Sequence, residues 1–381
     1  MKCDIIIPIW NQLDFTRECI EHILKNTKYP YRLILVDNAS DEDTKKYLEG
    51  IKNKIAVTIL VRNEENAGFI KAVNRGLRLS DSPYICIMNN DTLPAPGWLE
   101  RMIGFSEAHP DAGLINPQCN GHGNMSIDEY SKALERNKGL YMEMNQCQGF
   151  CMLMKRRLME KIGYLDESFG IGGYDDTDYS IRAHKAGFRS VSIRDAYVYH
   201  RLHASFDKSG DREEWVKRNR EIYYRKWGKH LRIGIIFSPD SMDPGRMADL
   251  IKLSYGLARE WSWPQIWINS REDKSGIQKA IDKALSDNKL PPHKNIRIDY
   301  FNTSKILFYP ALSGKIAGRA IKKMGDKRFD AIIFFDGKGP ALLRWMAGLV
   351  NARVFELSGG GRDTDWEKKG KELAVSIRGN R

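Results

Sequence analysis

No apolar run in this sequence approaches the roughly 18–20 residues that a helix needs to span a bilayer. The opening segment Met1–Pro8 carries one lysine and an apolar stretch that breaks at Pro8 and Asn11, so it reads as a first β-strand and not as a signal peptide. The six cysteines, Cys3, Cys19, Cys86, Cys119, Cys147 and Cys151, include no CxxC pair. That spacing argues against a zinc ribbon or a dithiol redox motif and predicts buried, reduced thiols of a cytoplasmic protein. There is no internal repeat, no complete P-loop and no complete GxGxxG. There is also no ladder of alternating aromatic and basic residues, so nucleic acid is not an expected partner.

What is present divides in two. A chain of 381 residues exceeds what one hydrophobic core usually serves. Residues 231–381 hold 27 Lys+Arg and 17 Asp+Glu, a net of +10, out of +12 for the whole chain. The basic character therefore belongs to the C-terminal part, where it is either a solubility feature or a match for an anionic glycan, lipid phosphate or membrane surface. Strand-length apolar runs at 4–9, 32–37, 55–61 and 84–88 alternate with helical patterns at 14–26, 41–50 and 69–79, which predicts an α/β domain with a mostly parallel sheet. A second alternation begins at Leu231, with strands expected near 232–237, 264–268, 296–300, 330–335 and 352–356, and helices at 246–261, 275–287, 313–325 and 340–350. The expected domains are 1–229 and 230–381, the second Rossmann-like. The stretch 118–147 reads as an irregular loop or flap, and the polar tail after Gly361 as a segment whose last ten residues fray.

Chemistry concentrates where apolar strands end. Asp37-Asn38, Arg62-Asn63 and Asn89-Asn90-Asp91 follow successive strands, and ligands of open α/β sheets bind at the carboxyl ends of strands. A second acidic knot, Tyr174-Asp175-Asp176-Thr177-Asp178, opens a helical stretch. Strand tips do not need carboxylates for stability. One such tip can hold a divalent cation with its phosphates, and another acid can serve as a base. Taken alone, these residues also fit turn formers and helix caps.

The order of the pieces resolves much of this. Ile5-Ile6-Ile7-Pro8 with Asn11, Leu35-Val36-Asp37-Asn38-Ala39-Ser40, Arg62-Asn63, Asn66-Ala67-Gly68-Phe69, Asn74-Arg75-Gly76, Met88-Asn89-Asn90-Asp91-Thr92, Gln148-Gly149-Phe150, the acidic knot with Arg182-Ala183 and Ala186-Gly187, and His200 together resemble a family 2 glycosyltransferase of the GT-A fold. The resemblance spans residues 3–225 and leaves the C-terminal domain outside it. It implies donor-binding positions at Pro8, Asn11, Asp37, Asn38, Arg62, Gly68, Asn74, Asn89, Asn90 and Asp91. It also implies a Mn²⁺ or Mg²⁺ site of Asp91, His200 and Asn89. Asn89 stands where the family's DxD motif has its first Asp, a departure shared with rhamnosyltransferase-like members. Asp37 takes the place of the family's base contact, and a carboxylate there accepts the imide N–H of uracil or thymine. Asp176 takes the place of the general base, with Gly149, Asp175 and Arg220 as substrate-binding positions.

The expectation is a cytoplasmic, inverting, metal-assisted enzyme. It would move a sugar from a UDP- or dTDP-sugar to a hydroxyl of a glycan or lipid-linked acceptor, with peripheral contact to a membrane. Two other readings stay open: a second active site in residues 230–381, and a catalytically silent nucleotide-sugar or glycan-binding regulator. In the C-terminal domain, Gly337-Lys338-Gly339 and Ser358-Gly359-Gly360-Gly361 follow strand-like runs and are weak phosphate-cradle signals. On the helix near 211–227, Trp215, Arg218 and Arg220 are further candidates for diphosphate or acceptor contacts.

Overall fold

A computed structural model describes residues 2–55, 58–201, 212–239, 243–321, 328–358 and 364–379. It divides into two compact units, 1–228 and 229–381. In chain order the first unit contains β1 (Cys3–Ile9), α1 (Leu13–Asn26), β2 (Tyr31–Asp37), α2 (Glu42–Lys54), β3 (Thr58–Arg62), α3 (Phe69–Leu79), β4 (Tyr84–Met88), β5 (Thr92–Pro94), α4 (Trp98–Ala108) and β6 (Ala112–Gln118). It continues with α5 (Ile127–Leu134), β7 (Tyr141–Met144), β8 (Cys151–Lys155), α6 (Arg156–Ile162), α7 (Asp175–Lys185), β9 (Arg189–His200) and α8 (Arg212–Trp227).

These strands form one mixed sheet in the order β3-β2-β1-β4-β8-β6-β9-β5, with β7 also paired to β9. The first four run parallel. All seven residues of β1 are buried, as expected for a strand covered on both faces. The chain moves outward from β1 to β3 and then returns to lay β4 on the other side of β1. This reversal opens a crevice at the carboxyl ends of β1 and β4. β8 then turns the sheet antiparallel. The six cysteines are unbridged.

Residues 118–147 are not the irregular flap that their polarity predicts. Ser126 caps α5 by accepting from the Glu129 N–H at 3.2 Å, while the Glu129 carboxylate takes the Ser126 N–H at 2.9 Å. This reciprocal S-x-x-E box is a sequence-level start signal for a helix. Tyr141–Met144 then adds an antiparallel strand to β9.

The second unit holds β10 (Leu231–Phe237), α9 (Pro244–Arg259), β11 (Ser262–Asn269), α10 (Lys274–Asp287), β12 (Arg297–Phe301), α11 (Lys305–Ile321), β13 (Ala331–Phe334), α12 (Ala341–Leu349), β14 (Arg353–Glu356) and α13 (Trp366–Gly379). Its five parallel strands lie in the order β12-β11-β10-β13-β14, a doubly wound sheet. The helix expected at 313–325 begins earlier, at Lys305, and carries Pro310 within it. Among the described residues, no helix is long and apolar enough to cross a membrane.

The tail is also ordered further than its polarity predicts. Trp366, Leu373, Ala374 and Ile377 are buried on one face of α13, which packs against α9. The two helices approach backbone to backbone. A Cβ on Gly256 would lie 2.0 Å from the Glu367 carbonyl oxygen, and one on Gly370 would lie 2.3 Å from that of Leu253. Gly256→Ala is therefore expected to cost at least about 1–3 kcal/mol, the scale of overpacking. In thermal unfolding this corresponds to several degrees of lost Tm, at roughly 2–4 °C per kcal/mol for a unit of this size. An unchanged Tm would contradict the contact.

Candidate active site

The tip of β4 is held from three sides. The Asn89 N–H donates to the Phe150 carbonyl at 2.9 Å, the Thr92 hydroxyl to the Asn89 carbonyl at 2.7 Å, and the Arg201 N–H to the Asp91 carbonyl at 3.1 Å. β5 pairs antiparallel with β9, and its register sets Thr92 opposite His200. That pairing brings the His200 Nε2 to 3.3 Å from Asp91 Oδ1 and 3.4 Å from Asn89 Nδ2. The Phe150 ring lies against the imidazole in a stacked arrangement, centroids 5.2 Å apart, and so holds the plane of His200. Asp91 is almost fully buried. The Asn89 Oδ1 is buried with no hydrogen-bond partner.

A buried carboxylate, an imidazole and an unsatisfied amide oxygen at one strand tip form a donor set that fits Mg²⁺ or Mn²⁺. Among the described residues, no three His, Cys, Asp or Glu side chains cluster as ligands. The set here is one acid, one histidine and one amide, which leaves coordination positions for phosphate oxygens. Asn90 faces the other way, its amide donating to the Thr16 hydroxyl at 3.0 Å, so its contribution is to pin the tip to α1.

The tips of β1, β2 and β3 are knitted to one another. Asp37 lies opposite Arg62 in register, accepts from its guanidinium, and takes the Ser40 N–H at 2.8 Å. Both carboxylate oxygens are thus engaged, and only 1 % of the residue is exposed. A base contact through Asp37 therefore requires the Arg62 brace to swing away. Asn11 donates its N–H to Ser40 Oγ at 2.9 Å and accepts from the Asp41 N–H at 2.7 Å, tying the β1 loop to the β2 loop. Pro8 is buried within β1. Asn38 accepts from Asn63 Nδ2 at 2.7 Å and from the Ala67 N–H at 3.0 Å, which shapes the turn into α3. Gly68 begins that helix at φ +84°, a left-handed backbone that favours glycine. Asn74 departs from the expected donor contact. Its amide donates to the Leu165 carbonyl at 2.9 Å and accepts the Leu165 N–H at 3.0 Å, deep inside the protein, so it positions a loop and has no free face for a donor.

The acidic knot sits on a strained approach. Gly170, Gly172, Gly173 and Tyr174 all have positive φ, and Tyr174, which has a side chain to accommodate, stands at +70° directly before α7. The buried Asn219 of α8 holds this loop, donating to the carbonyls of Phe169 at 2.7 Å, Gly172 at 2.9 Å and Gly173 at 3.2 Å. Asp178 is structural. It is fully buried and bound by Arg182 at 2.8 Å, Lys226 at 2.6 Å and the Trp227 indole at 2.8 Å. Arg220 is partly exposed on α8, next to Asn219 in sequence. Arg218 reaches the Ser168 carbonyl at 3.5 Å.

Asp176 is the partly exposed acid of the group. Its Oδ1 accepts from Gln146 Nε2 at 3.1 Å, and its Oδ2 faces the Gly149 N–H at 3.4 Å. Burial raises its pKa above the ordinary carboxylate value, and the Gln146 and backbone donors pull part of that back. Asp175 accepts from the Gly173 N–H at 2.7 Å and is pushed up to about 7, first by burial and then by the charge of Asp176. Asp176 accepts from Gln146 and Gly149, on the side of the Gly149–Phe150 segment, while Asp175 turns to the loop at Gly173.

Gly149 and Phe150 join the two sites. Gly149 touches Asp176, and its neighbour Phe150 holds Asn89 and stacks on His200. Sequence reasoning missed Gln146 and Asn219, since an isolated amide in a loop has no periodic or motif signal. Gln146 has a measurable consequence. A base works ionised, so activity falls as pH drops through its raised pKa. Gln146→Leu removes a donor to the anion and should move this acid limb up by about one pH unit. A pH–rate profile that superimposes on the wild type would remove Gln146 from this role.

In the second unit, Gly337-Lys338-Gly339 does not form a phosphate cradle. The Gly339 N–H donates to Glu356 at 3.1 Å, and a Cβ on Gly339 would lie 2.3 Å from the Phe334 ring, so packing accounts for this glycine. Gly359, Gly360 and Gly361 lie outside the described residues.

Residues 4–163 match the family described as Glycosyl transferase family 2. The chain is 26% identical over 251 residues to protein y4gI of Sinorhizobium fredii, covering 59% of this chain and 27% of that one. It is 21% identical over 248 residues to the hyaluronan synthase of Pasteurella multocida, covering 55% and 25%. It thus spans about a quarter of the length of each of these two relatives. Among solved structures, the mannosyltransferase PcManGT of Pyrobaculum calidifontis, in complex with GDP-Man and Mn²⁺, is 18% identical over 84% of this chain and 81% of that one, with a TM-score of 0.46. The matched segment contains the β4 tip and the Gly149–Phe150 bridge, while Asp175, Asp176 and His200 lie beyond it. Residues 4–163, within the first unit, thus carry a Glycosyl transferase family 2 segment.

Proposed function

We propose that this chain is an inverting glycosyltransferase, assisted by a divalent cation, that moves a sugar from a UDP- or dTDP-sugar to a hydroxyl of a glycan or lipid-linked acceptor. The observation that carries this reading is the Gly149–Phe150 bridge, which sets a metal-competent strand tip and a carboxylate with a raised pKa on the two ends of one dipeptide. Asn89, Asp91 and His200 would hold Mn²⁺ or Mg²⁺, which when bound neutralises charge on the departing diphosphate. Asp176 takes the proton of the acceptor hydroxyl. The freed oxygen attacks the anomeric carbon from the side opposite the nucleotide. The new glycosidic bond forms as the bond to the diphosphate oxygen breaks, and that oxygen leaves with the electron pair. One displacement inverts the anomeric centre. Asn219 and the glycines before α7 keep Asp176 at the end of its helix, where the N-terminal dipole favours the anion.

The donor base follows from Asp37. Uracil and thymine present an imide N–H to an acceptor, and Asp37 supplies one once Arg62 releases it. The similarity to a hyaluronan synthase supports a glycan acceptor. A panel of UDP-, dTDP-, GDP- and CMP-sugars read by thermal stabilisation, with and without Mn²⁺, tests the reading. UDP- or dTDP-sugars should raise Tm only with the cation present. Stabilisation by GDP-sugars alone would overturn the base assignment, and no response to any donor would overturn the function.

A further inference from the structure

Among its described residues, the second unit exposes several large apolar side chains on two neighbouring helices. α12 is apolar on two opposite faces. Leu343 and Ala347 point into the core, while Leu342, Trp345 and Leu349, at the i, i+3, i+7 spacing of one helical stripe, point out. On α11, Phe308, Leu312 and Ile316 are buried while Ile306 and Leu307 of the first turn are exposed. Ile306 is 83% exposed, and Trp345 and Leu349 are each 60% exposed. The buried faces of α11 and α12 enter one core cluster on one side of the sheet, so their outer faces share one surface. Each helix also follows the carboxyl end of a parallel strand, β12 and β13 respectively, so their first turns lie along the same edge. Exposed large side chains scattered singly need no explanation, but five gathered on one two-helix layer mark an interaction surface.

The charges around this edge identify the partner. Lys305 begins α11, Lys338 precedes α12 and Arg344 lies in its first turn, and all three are exposed. The nearby acids are engaged: Glu356 faces Arg344 at 3.5 Å and Gly339, and Asp336 pairs with Arg246 at 2.8 Å. A second copy would set the same basic edge against itself. A tryptophan and aliphatic side chains rimmed by cations suit an anionic lipid interface, where the rings and chains enter the headgroup boundary and the cations meet phosphate. We propose that the α11–α12 face, through Ile306, Leu307, Leu342, Trp345 and Leu349, docks this chain peripherally on an anionic membrane surface. This inference is independent of the transferase reading and is tested without any activity measurement.

The test is co-sedimentation of the full chain with vesicles of phosphatidylcholine alone and of phosphatidylcholine mixed with phosphatidylglycerol, across a salt series. Binding should require the anionic lipid and weaken as salt rises. The substituted side chains are exposed, so the variants should keep the wild-type Tm. Trp345→Ala with Leu349→Ala should weaken binding by about tenfold or more, because the apolar groups no longer enter the interface. Lys305→Glu with Lys338→Glu should weaken it by a similar factor, at roughly one cation's worth of attraction lost per residue and more for reversal. Equal binding by both double variants would overturn the proposal, as would a chain that ignores both vesicle types. A dimer in solution that Trp345→Glu dissociates, with no lipid binding, would assign the face to a second copy instead. Salt-sensitive binding that the apolar variant leaves unchanged would make the surface merely a cationic patch.

Discussion

Replacing Asp176 with Asn is expected to slow sugar transfer by about 10²–10⁴-fold, the usual contribution of a positioned general base. The substitution preserves shape and keeps an oxygen for the Gln146 donor at 3.1 Å, at the cost of the longer 3.4 Å contact from the Gly149 N–H. Its main loss is the ability to take a proton. Donor affinity should therefore remain near wild type, and the loss should appear in kcat. Asp175→Asn is the informative partner. Asp175 is pushed up to about 7, is buried, and is turned to the Gly173 N–H at 2.7 Å, so its replacement should disturb the loop far more than the proton transfer. Steady-state transfer by the two variants decides the assignment. An active Asp176→Asn enzyme beside an inactive Asp175→Asn enzyme would move the base by one residue.

Asp91→Ala should abolish the part of nucleotide binding that depends on a cation. Changes to groups that merely support metal ligands commonly cost about 10–100-fold in metal affinity, and loss of the sole carboxylate in the donor set should exceed that. His200 would lose the acid that faces its Nε2 at 3.3 Å, and Asn89 would be left with its unsatisfied Oδ1. Calorimetry of UDP or dTDP binding with saturating Mn²⁺ measures the effect. The variant should bind as the wild type does in EDTA. Equal affinity of wild type and variant in Mn²⁺ would take Asp91 out of the site.

The β4 tip and the start of α7 are legible in the sequence because both are abrupt changes of chemistry. An apolar Ile-Cys-Ile-Met run stops at two amides and an acid, and three acids open a helix. The alternation that builds β1 to β4 is equally plain, since each strand is continuous and each helix has its own period. What the sequence does not show is which distant groups occupy which polar atoms. A strand-tip Asp37 looks available until β3 places Arg62 across from it. Asn74 looks like one more polar residue of a donor motif until the loop at Leu165 takes both ends of its amide. The Asp91–His200 proximity depends on the short pairing of β5 with β9, which has no signal of its own at three residues. Gln146 and Asn219 matter through tertiary hydrogen bonds alone. The capping box of α5 was written in the sequence but was masked by the polarity around it. The tail was misleading because α13 is amphipathic: Trp366, Leu373, Ala374 and Ile377 are buried against α9, while Glu367 and Arg378 bond to residues of that helix or its end.

The most direct measurement is release of nucleoside diphosphate from its sugar donor by the full chain, with acceptor or water as the recipient, in Mn²⁺ and in EDTA. A metal-assisted transferase should release diphosphate steadily in Mn²⁺ and stop in EDTA, and Asp176→Asn should bind the same donor without turning it over. Tight binding of nucleotide-sugars by the wild type with no release under any cation would contradict catalysis at this site and leave a nucleotide-sugar-binding regulator in its place.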